Sequence, residues 1–328
     1  MEEVVYRVNF EFESSLAGKT KIFPGASWFD HVFFFINSSK SAALDSNYKF
    51  SSEYLESLNE LGVSSTKLKK SKKSINWWSN DTDQQINKKL NSKIEMTRFG
   101  IEKKWIPIKS TIGINTLDEY TSPVILREEW GFSGKGTYVL DDPSNKFSRK
   151  GNFVVSEYVK KYEDFGITFL LDNNDYFVIK NYIDSKGQFR GGESIDKGTF
   201  SELIGEKEVS TLDDIRLSLI KLGAKKTVQV DCFTYENGFH PFVEVNYRKT
   251  MGMMIQSLKN LTKSKFVMWK IYKNNKSYTR NEYREKLLEI NQNIFITSPI
   301  DRFVSICLHS NDDINFRESQ IKLDEFLR

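Results

Sequence analysis

Apolar residues recur at helical spacing in some stretches of the chain and cluster at strand length in others. Tyr54, Leu55, Leu58 and Leu61 share one side of a helix predicted over Ser51 to Leu61, which Gly62 ends. Thr82-Asp83-Gln84-Gln85, followed by Ile86, Leu90 and Ile94, predicts a capped helix running to about Phe99. Residues 211–222 carry an N-cap, early acids and an apolar stripe, and Arg280 to Ile290 form a second amphipathic stretch before a terminal helix. Strands are expected at Val4 to Phe12, His31 to Ile36, Ile106 to Ser110, Pro123 to Arg127, Asn152 to Val159, Ile167 to Leu171, Tyr176 to Tyr182, Ile294 to Thr297 and Phe303 to Leu308. The run Val32 to Ile36 is too short to span a bilayer and reads as a buried strand.

One further strand pair carries candidate chemistry. Val228 to Thr234 and His240 to Asn246 flank Asn237-Gly238, the dipeptide favoured in a two-residue type I′ turn. With those residues at its centre, Asp231 faces Glu244. Side chains alternate along a strand, so Gln229 and Asn246 share that surface while Val230, Cys232, Val243 and Val245 turn away. Directly opposed carboxylates repel, and a bound cation removes the cost. The all-oxygen set Asp231, Glu244 and Asn246 suits a hard ion such as Mg²⁺, with Mn²⁺ as an alternative, and so suggests nucleotide chemistry. The competing reading is an acidic hairpin facing solvent, and Pro241 favours a strand start or sheet edge.

Composition narrows the alternatives. At 328 residues, 39% hydrophobic, 14% aromatic and 28% charged, the chain has the profile of a folded water-soluble protein with room for two or three units. The acidic start Met1-Glu2-Glu3 lacks the pattern of a secretory signal, so a cytoplasmic location is expected, without membrane association. Cys232 and Cys307 sit in apolar runs and read as core residues, and His31, His240 and His309 lack zinc-site spacing. A net charge of +4 is mild, and the lysine-rich run Lys67 to Lys73 reads as a solvated loop rather than a nucleic-acid site.

After the strand ending at Arg127 comes Gly131 to Thr137. Gly134 and Gly136 would let backbone N–H groups approach an anion, with Ser133, Lys135 and Thr137 adding donors or charge. It matches neither the Walker loop nor the dinucleotide fingerprint.

Taken in order, Lys88 to Gly252 resembles the ATP-grasp superfamily. The most specific element is Asp231 followed thirteen residues later by Glu244-Val245-Asn246-Tyr247-Arg248, similar to the Mg²⁺-binding strands of D-alanine:D-alanine ligase relatives. The resemblance implies an α+β fold with an α/β N-terminal domain, in which two α+β lobes with antiparallel sheets enclose ATP. It implies phosphate contacts from Lys89 and from Arg127, which stands where the family has a second lysine. It places the adenine at Glu157, Tyr158 and Val159, the ribose at Asp164, and the γ-phosphate or a substrate carboxylate at Arg190 and Arg248. The expected units are residues 1–83, 84–155, 156–260 with the metal site, and 261–328 packed on the preceding lobe. The implied activity is an ATP- and Mg²⁺-dependent ligase joining a small-molecule or peptide carboxylate to an amine through an acylphosphate. A kinase of the same fold and a non-catalytic nucleotide-binding module are the alternatives. The run Lys265 to Lys273 is expected to pack on the sheet, with a homodimer contact as its other reading.

Overall fold

A computed structural model describes residues 4–19, 25–37, 42–63, 66–79, 83–131, 134–144, 147–185 and 187–327. Among the described residues the chain forms one sheet of eight strands and two of four. The first is parallel and contains β1 (Val4–Arg7), β2 (Ala42–Leu44), β3 (Lys67–Leu68) and β4 (Ile75–Asn76), ordered β3-β2-β1-β4. Its connections include helices α1 (Phe12–Leu16), α2 (Val32–Ile36) and α3 (Ser52–Glu60). Ser51 caps α3 through the Tyr54 N–H, and Gly62 closes it at φ 72°.

Two expectations fail here. Val32 to Ile36 is a helix, and the strand from Val4 stops at Arg7, so that Phe12 opens α1. A short unbroken apolar run fits a buried strand and a buried helical turn equally well. Gly25, left-handed at φ 80°, starts a 3₁₀ turn over Ala26–His31 that runs directly into α2. The phenylalanines then meet Phe50, Tyr54 and Trp77.

The second sheet follows helices α4 (Gln84–Asn91) and α5 (Lys93–Glu102). Asp83 caps α4 by accepting from the N–H groups of Gln85 and Ile86. The single expected helix is broken at Ser92, whose hydroxyl accepts from Glu95 N–H and donates to Glu129. Strands β5 (Ser110–Ile112), β6 (Val124–Glu128), β7 (Thr137–Leu140) and β8 (Phe153–Glu157) then form an antiparallel sheet in the order β5-β8-β6-β7. Val124, Leu126, Phe153 and Val155 are its buried core.

The large sheet is antiparallel throughout, in the order β13-β12-β9-β10-β11-β14-β16-β15. Its strands are β9 (Lys161–Leu170), β10 (Asp175–Ile183), β11 (Phe189–Ile195), β12 (Thr227–Tyr235), β13 (Gly238–Asn246), β14 (Phe266–Lys273), β15 (Ile294–Ile296) and β16 (Phe303–Ser310). Helices α6 (Lys197–Ile204) and α7 (Glu206–Lys221) contribute Phe200, Leu212, Ile215 and Leu219 to a core shared with β9, β10, β12 and β13. Helix α8 (Met251–Thr262) places Met254, Ile255 and Leu258 in a core with Phe33 and Trp269, so it joins the N-terminal layer to the large sheet. Helices α9 (Arg280–Ile290) and α10 (Asp313–Leu327) cover β14 to β16.

Two readings of this region change. Arg190 belongs to β11 rather than to a glycine-rich turn, because the reversal is made earlier, by Gly187 N–H bonding to Asp184 O. The run Lys265 to Lys273 contains β14, an interior strand whose Trp269 is fully buried. Alternation alone could not show that this tail extends the sheet of the preceding strands. No helix among the described residues is long and apolar enough to cross a membrane.

Gly191 allows β14 to approach β11. Its φ is 139°, and a Cβ there would lie 2.2 Å from the Trp269 carbonyl oxygen. Gly191→Ala is expected to cost about 1–3 kcal/mol of stability, read as a lower urea midpoint at unchanged m-value. Gly187→Ala, at φ 71° but facing open space, should cost less.

Candidate active site

Strands β12 and β13 pair Gln229 with Asn246, Val230 with Val245 and Asp231 with Glu244. The facing carboxylates are therefore where the sequence predicts them, although the turn is not. The closing pair is Tyr235 and Gly238, which makes Glu236 and Asn237 the turn residues. An irregularity restores the register: Cys232 alone on β12 spans the interval that Pro241, Phe242 and Val243 occupy on β13. Proline has no N–H to donate to a ladder, and β13 is the edge strand of the large sheet, so Pro241 combines an edge position with this irregularity.

Asp231 and Glu244 border a cleft of about 1360 Å³ lined by residues of the second and the large sheets and, from the N-terminal layer, by Phe10, Glu13, Trp28, Phe29 and Trp78, which lie outside its strands. Asp231 accepts from Gln229 Nε2 at 2.6 Å and Asn246 Nδ2 at 3.0 Å. Burial, followed by the nearby charges of Glu244 and Asp164, raises its pKa above the usual carboxylate range. Glu244 pairs with Lys93 Nζ at 2.9 Å, and that ammonium also donates to Gly131 O at 2.6 Å. Arg127 Nη1 donates to Val243 O at 2.9 Å, which ties β6 to β13. Arg248 forms an ion pair with the buried Glu13 of α1.

The cleft gathers most of the predicted residues. Arg127, Gly134, Lys135, Glu157, Tyr158, Val159, Asp164, Arg190, Asp231, Glu244, Asn246 and Arg248 all line it. Gly136 does not line it: this residue sits at φ 78° beside Glu128, where its carbonyl accepts from Glu128 N–H. Ser133 lies outside the described residues. Lys89 is exposed in the last turn of α4 and is not brought to the cleft, whereas Lys93, four residues on, is. Lys93 falls on the apolar face marked by Ile86, Leu90 and Ile94, and a lysine on that face is the signal that distinguishes it.

At the other end, Glu157 accepts from Ser122, and Tyr158 N–H donates to Pro123 O, so that amide is engaged within the protein. Asp164 is held by Lys161 Nζ at 2.8 Å and Asn181 Nδ2 at 3.1 Å. Arg190 is held by Asp184. Lys161 also lies 4.6 Å from the centre of the Phe233 ring, and Phe233 packs against His240. Lys161 and His240 line the cleft and were not anticipated as site residues.

The donor set fits a divalent cation. All its donor atoms are hard oxygens, the Asp231 carboxylate is half-buried near two other acids, and rotating the Asn246 amide presents its oxygen to the same point. Lys93, Arg127 and Arg248 supply positive charge from α5, β6 and the segment after β13.

The chain has the ATP-grasp fold, with α+β lobes and antiparallel sheets around the cleft. Among solved structures it is similar to N5-carboxyaminoimidazole synthetase from Staphylococcus aureus complexed with ADP, at 11% identity over 91% of this chain and 95% of that one, with a TM-score of 0.59. The N5-carboxyaminoimidazole ribonucleotide synthetase of Thermus thermophilus is 9% identical over 99% of this chain and 98% of its own, with a TM-score of 0.57. Biotin carboxylase from Campylobacter jejuni is 12% identical over 98% and 84%, with a TM-score of 0.54. No protein-family model and no curated protein sequence matches the chain.

His240 gives a test of the cleft's electrostatics. Burial, reinforced by the charges of Arg127 and Lys161, pushes its pKa down to about 3. A depressed base contributes stability above its unfolded pKa of about 6.5 and loses it as pH falls toward the folded value, because the unfolded chain takes up a proton that the native state refuses. The His240 ring signals in NMR should therefore stay unchanged from about pH 8 to 5. His240→Asn should flatten the acid side of the stability curve.

Proposed function

We propose that the protein is an ATP- and Mg²⁺-dependent ligase that joins a carboxylate to an amine through an acylphosphate. The observation that carries this reading is the opposed, half-buried pair Asp231 and Glu244, with Lys93 and Arg127 converging on it from separate elements. Similar structures contain ATP or ADP, which supports a nucleotide in this cleft.

In this reading the base lies against Ile108, Ile125 and Val139, with the Tyr158 carbonyl and Val159 at its edge, and Asp164 faces the ribose. Asp231, Glu244 and Asn246 would hold Mg²⁺, which would supply positive charge to offset that of the phosphates. Lys93, which pairs with Glu244 in the free cleft, would turn its ammonium to a phosphate oxygen. Arg127 keeps its charge between the phosphates and β13 while one N–H remains on Val243. Arg248, steadied by Glu13, orients the substrate carboxylate as it attacks the γ-phosphorus. The segment containing Gly134 and Lys135 closes over the phosphates and excludes water. Phosphoryl transfer needs alignment and charge more than covalent help, and cations set on rigid strands supply both. The acylphosphate then passes to an amine, releasing phosphate.

Calorimetry should show Mg²⁺-dependent ATP binding that Asp231→Ala and Glu244→Ala each abolish or weaken by roughly a hundredfold. Unchanged binding in both variants would refute the metal assignment. Mass spectrometry of the product separates ligation, which yields an amide, from phosphoryl transfer alone.

The two lysines give a second test. Lys93→Met should weaken MgATP binding by about ten- to a hundredfold, the loss of one charge-assisted hydrogen bond. Lys89→Met should leave it within about twofold. The reverse ranking would return the phosphate contact to α4.

A further inference from the structure

We propose that the end of the cleft formed with the N-terminal layer binds a primary amine carrying an aromatic body, and that this is the acceptor substrate. The assignment of an acceptor rests on the ligase reading above. Five aromatic rings that line the cleft touch in series. Trp78 and Phe10 are 4.6 Å apart between ring centres, Phe10 and Phe29 are 5.7 Å apart, Phe29 and Trp28 are 4.9 Å apart, and Trp28 and Phe303 are 5.8 Å apart. The wall is set before any ligand arrives: Trp28 Nε1 donates to Pro299 O, and Phe10 and Trp78 are buried apart from a narrow edge. A preformed aromatic wall favours a flat apolar partner, because little side-chain entropy remains to be lost.

The polar groups beside this wall fix the rest of the ligand. Glu13 is 7% exposed and lines the cleft; its Oε1 accepts from Arg248, while Oε2 is buried with no partner among the described residues. Thr250, two residues beyond Arg248, also lines the cleft, is 3% exposed, and has a hydroxyl that neither caps α8 nor meets any other described partner. Buried acceptors without donors are uncommon in native proteins and point to a missing group. A carboxylate oxygen needs an N–H or O–H and repels an anion. An amine supplies the N–H, and a second polar atom on the same molecule satisfies Thr250.

Calorimetric titration of the full chain, with and without saturating MgATP, tests the assignment using four probes: 2-phenylethylamine, ethylamine, 3-phenylpropionate and ribose 5-phosphate. The expected result is that 2-phenylethylamine binds at least about tenfold more tightly than each of the others. Glu13→Gln and, independently, Phe29→Ala should each weaken it by about tenfold or more, with MgATP titrations of both variants reporting whether they remain folded. Preference for ribose 5-phosphate, absence of 2-phenylethylamine binding, or equal binding in both folded variants would overturn the proposal. If the chain binds 2-phenylethylamine as expected but does not bind MgATP, the ligase reading fails and the amine subsite stands. If it binds MgATP but not the amine, the subsite fails and the ligase reading stands.

Discussion

Two carboxylates facing each other across neighbouring strands are an unfavourable arrangement, and much of this cleft is organised around that pair. Asp231 and Glu244 are opposed in register, largely withdrawn from water and close to a third acid, Asp164. The repulsion is met from several directions. Lys93 comes from α5, Arg127 from β6, and the amides of Gln229 and Asn246 from the same two strands. These elements belong to different layers, so satisfying one local charge problem also sets how the small sheet and the helices before it sit against the large sheet. The residual excess of negative charge on Asp231 is what a cation would relieve.

The register that creates this pair depends on a compensation the sequence conceals. Alternation along β12 and β13 correctly placed Asp231 opposite Glu244, because one face of each strand is apolar and a slip by one residue would have buried the acids in that core. A turn at Asn237-Gly238 would give the same pairing, whereas the chain turns at Glu236-Asn237 and recovers the register in the irregularity at Pro241. The face pattern is the stronger constraint, and the turn yields to it. Pro241, read from the sequence as favouring a strand start or sheet edge, lies on the edge strand β13 at this irregularity, where a missing N–H costs little.

Elsewhere, legibility followed the range of the determining interactions. Caps at Ser51 and Asp83, the stop at Gly62 and the antiparallel runs of β9 and β10 are local and could be read directly. The helical state of Val32 to Ile36 depends on aromatic contacts with Phe50, Tyr54 and Trp77, which lie well along the chain. The position of β14 depends on Gly191 admitting the Trp269 backbone. Within the cleft, Lys89 and Lys93 share one short run, and only the break at Ser92 with the onset of α5 turns Lys93 inward. Helical periodicity contained that distinction, since Lys93 stands on the apolar face, but the family pattern drew attention to Lys89, which the helix leaves outside the cleft.

The N-terminal layer is tied to this charge system by Arg248. Its guanidinium follows directly on the ligand strand, pairs with Glu13 of α1 and lies near the Trp78 ring, while the neighbouring Lys249 donates to the Trp77 carbonyl oxygen. A chain segment that ends in the acids thus continues into the clamp that fixes the aromatic wall. Movement of α1 away from the large sheet would strand a half-buried arginine and a buried glutamate, and breaking such a pair is more costly than forming it is favourable. The end of the cleft beside α1 is consequently held rigid relative to Asp231 and Glu244. In the proposed ligation, a reaction accelerated chiefly by alignment, that rigidity would let residues more than two hundred positions apart in the chain act on a single bond.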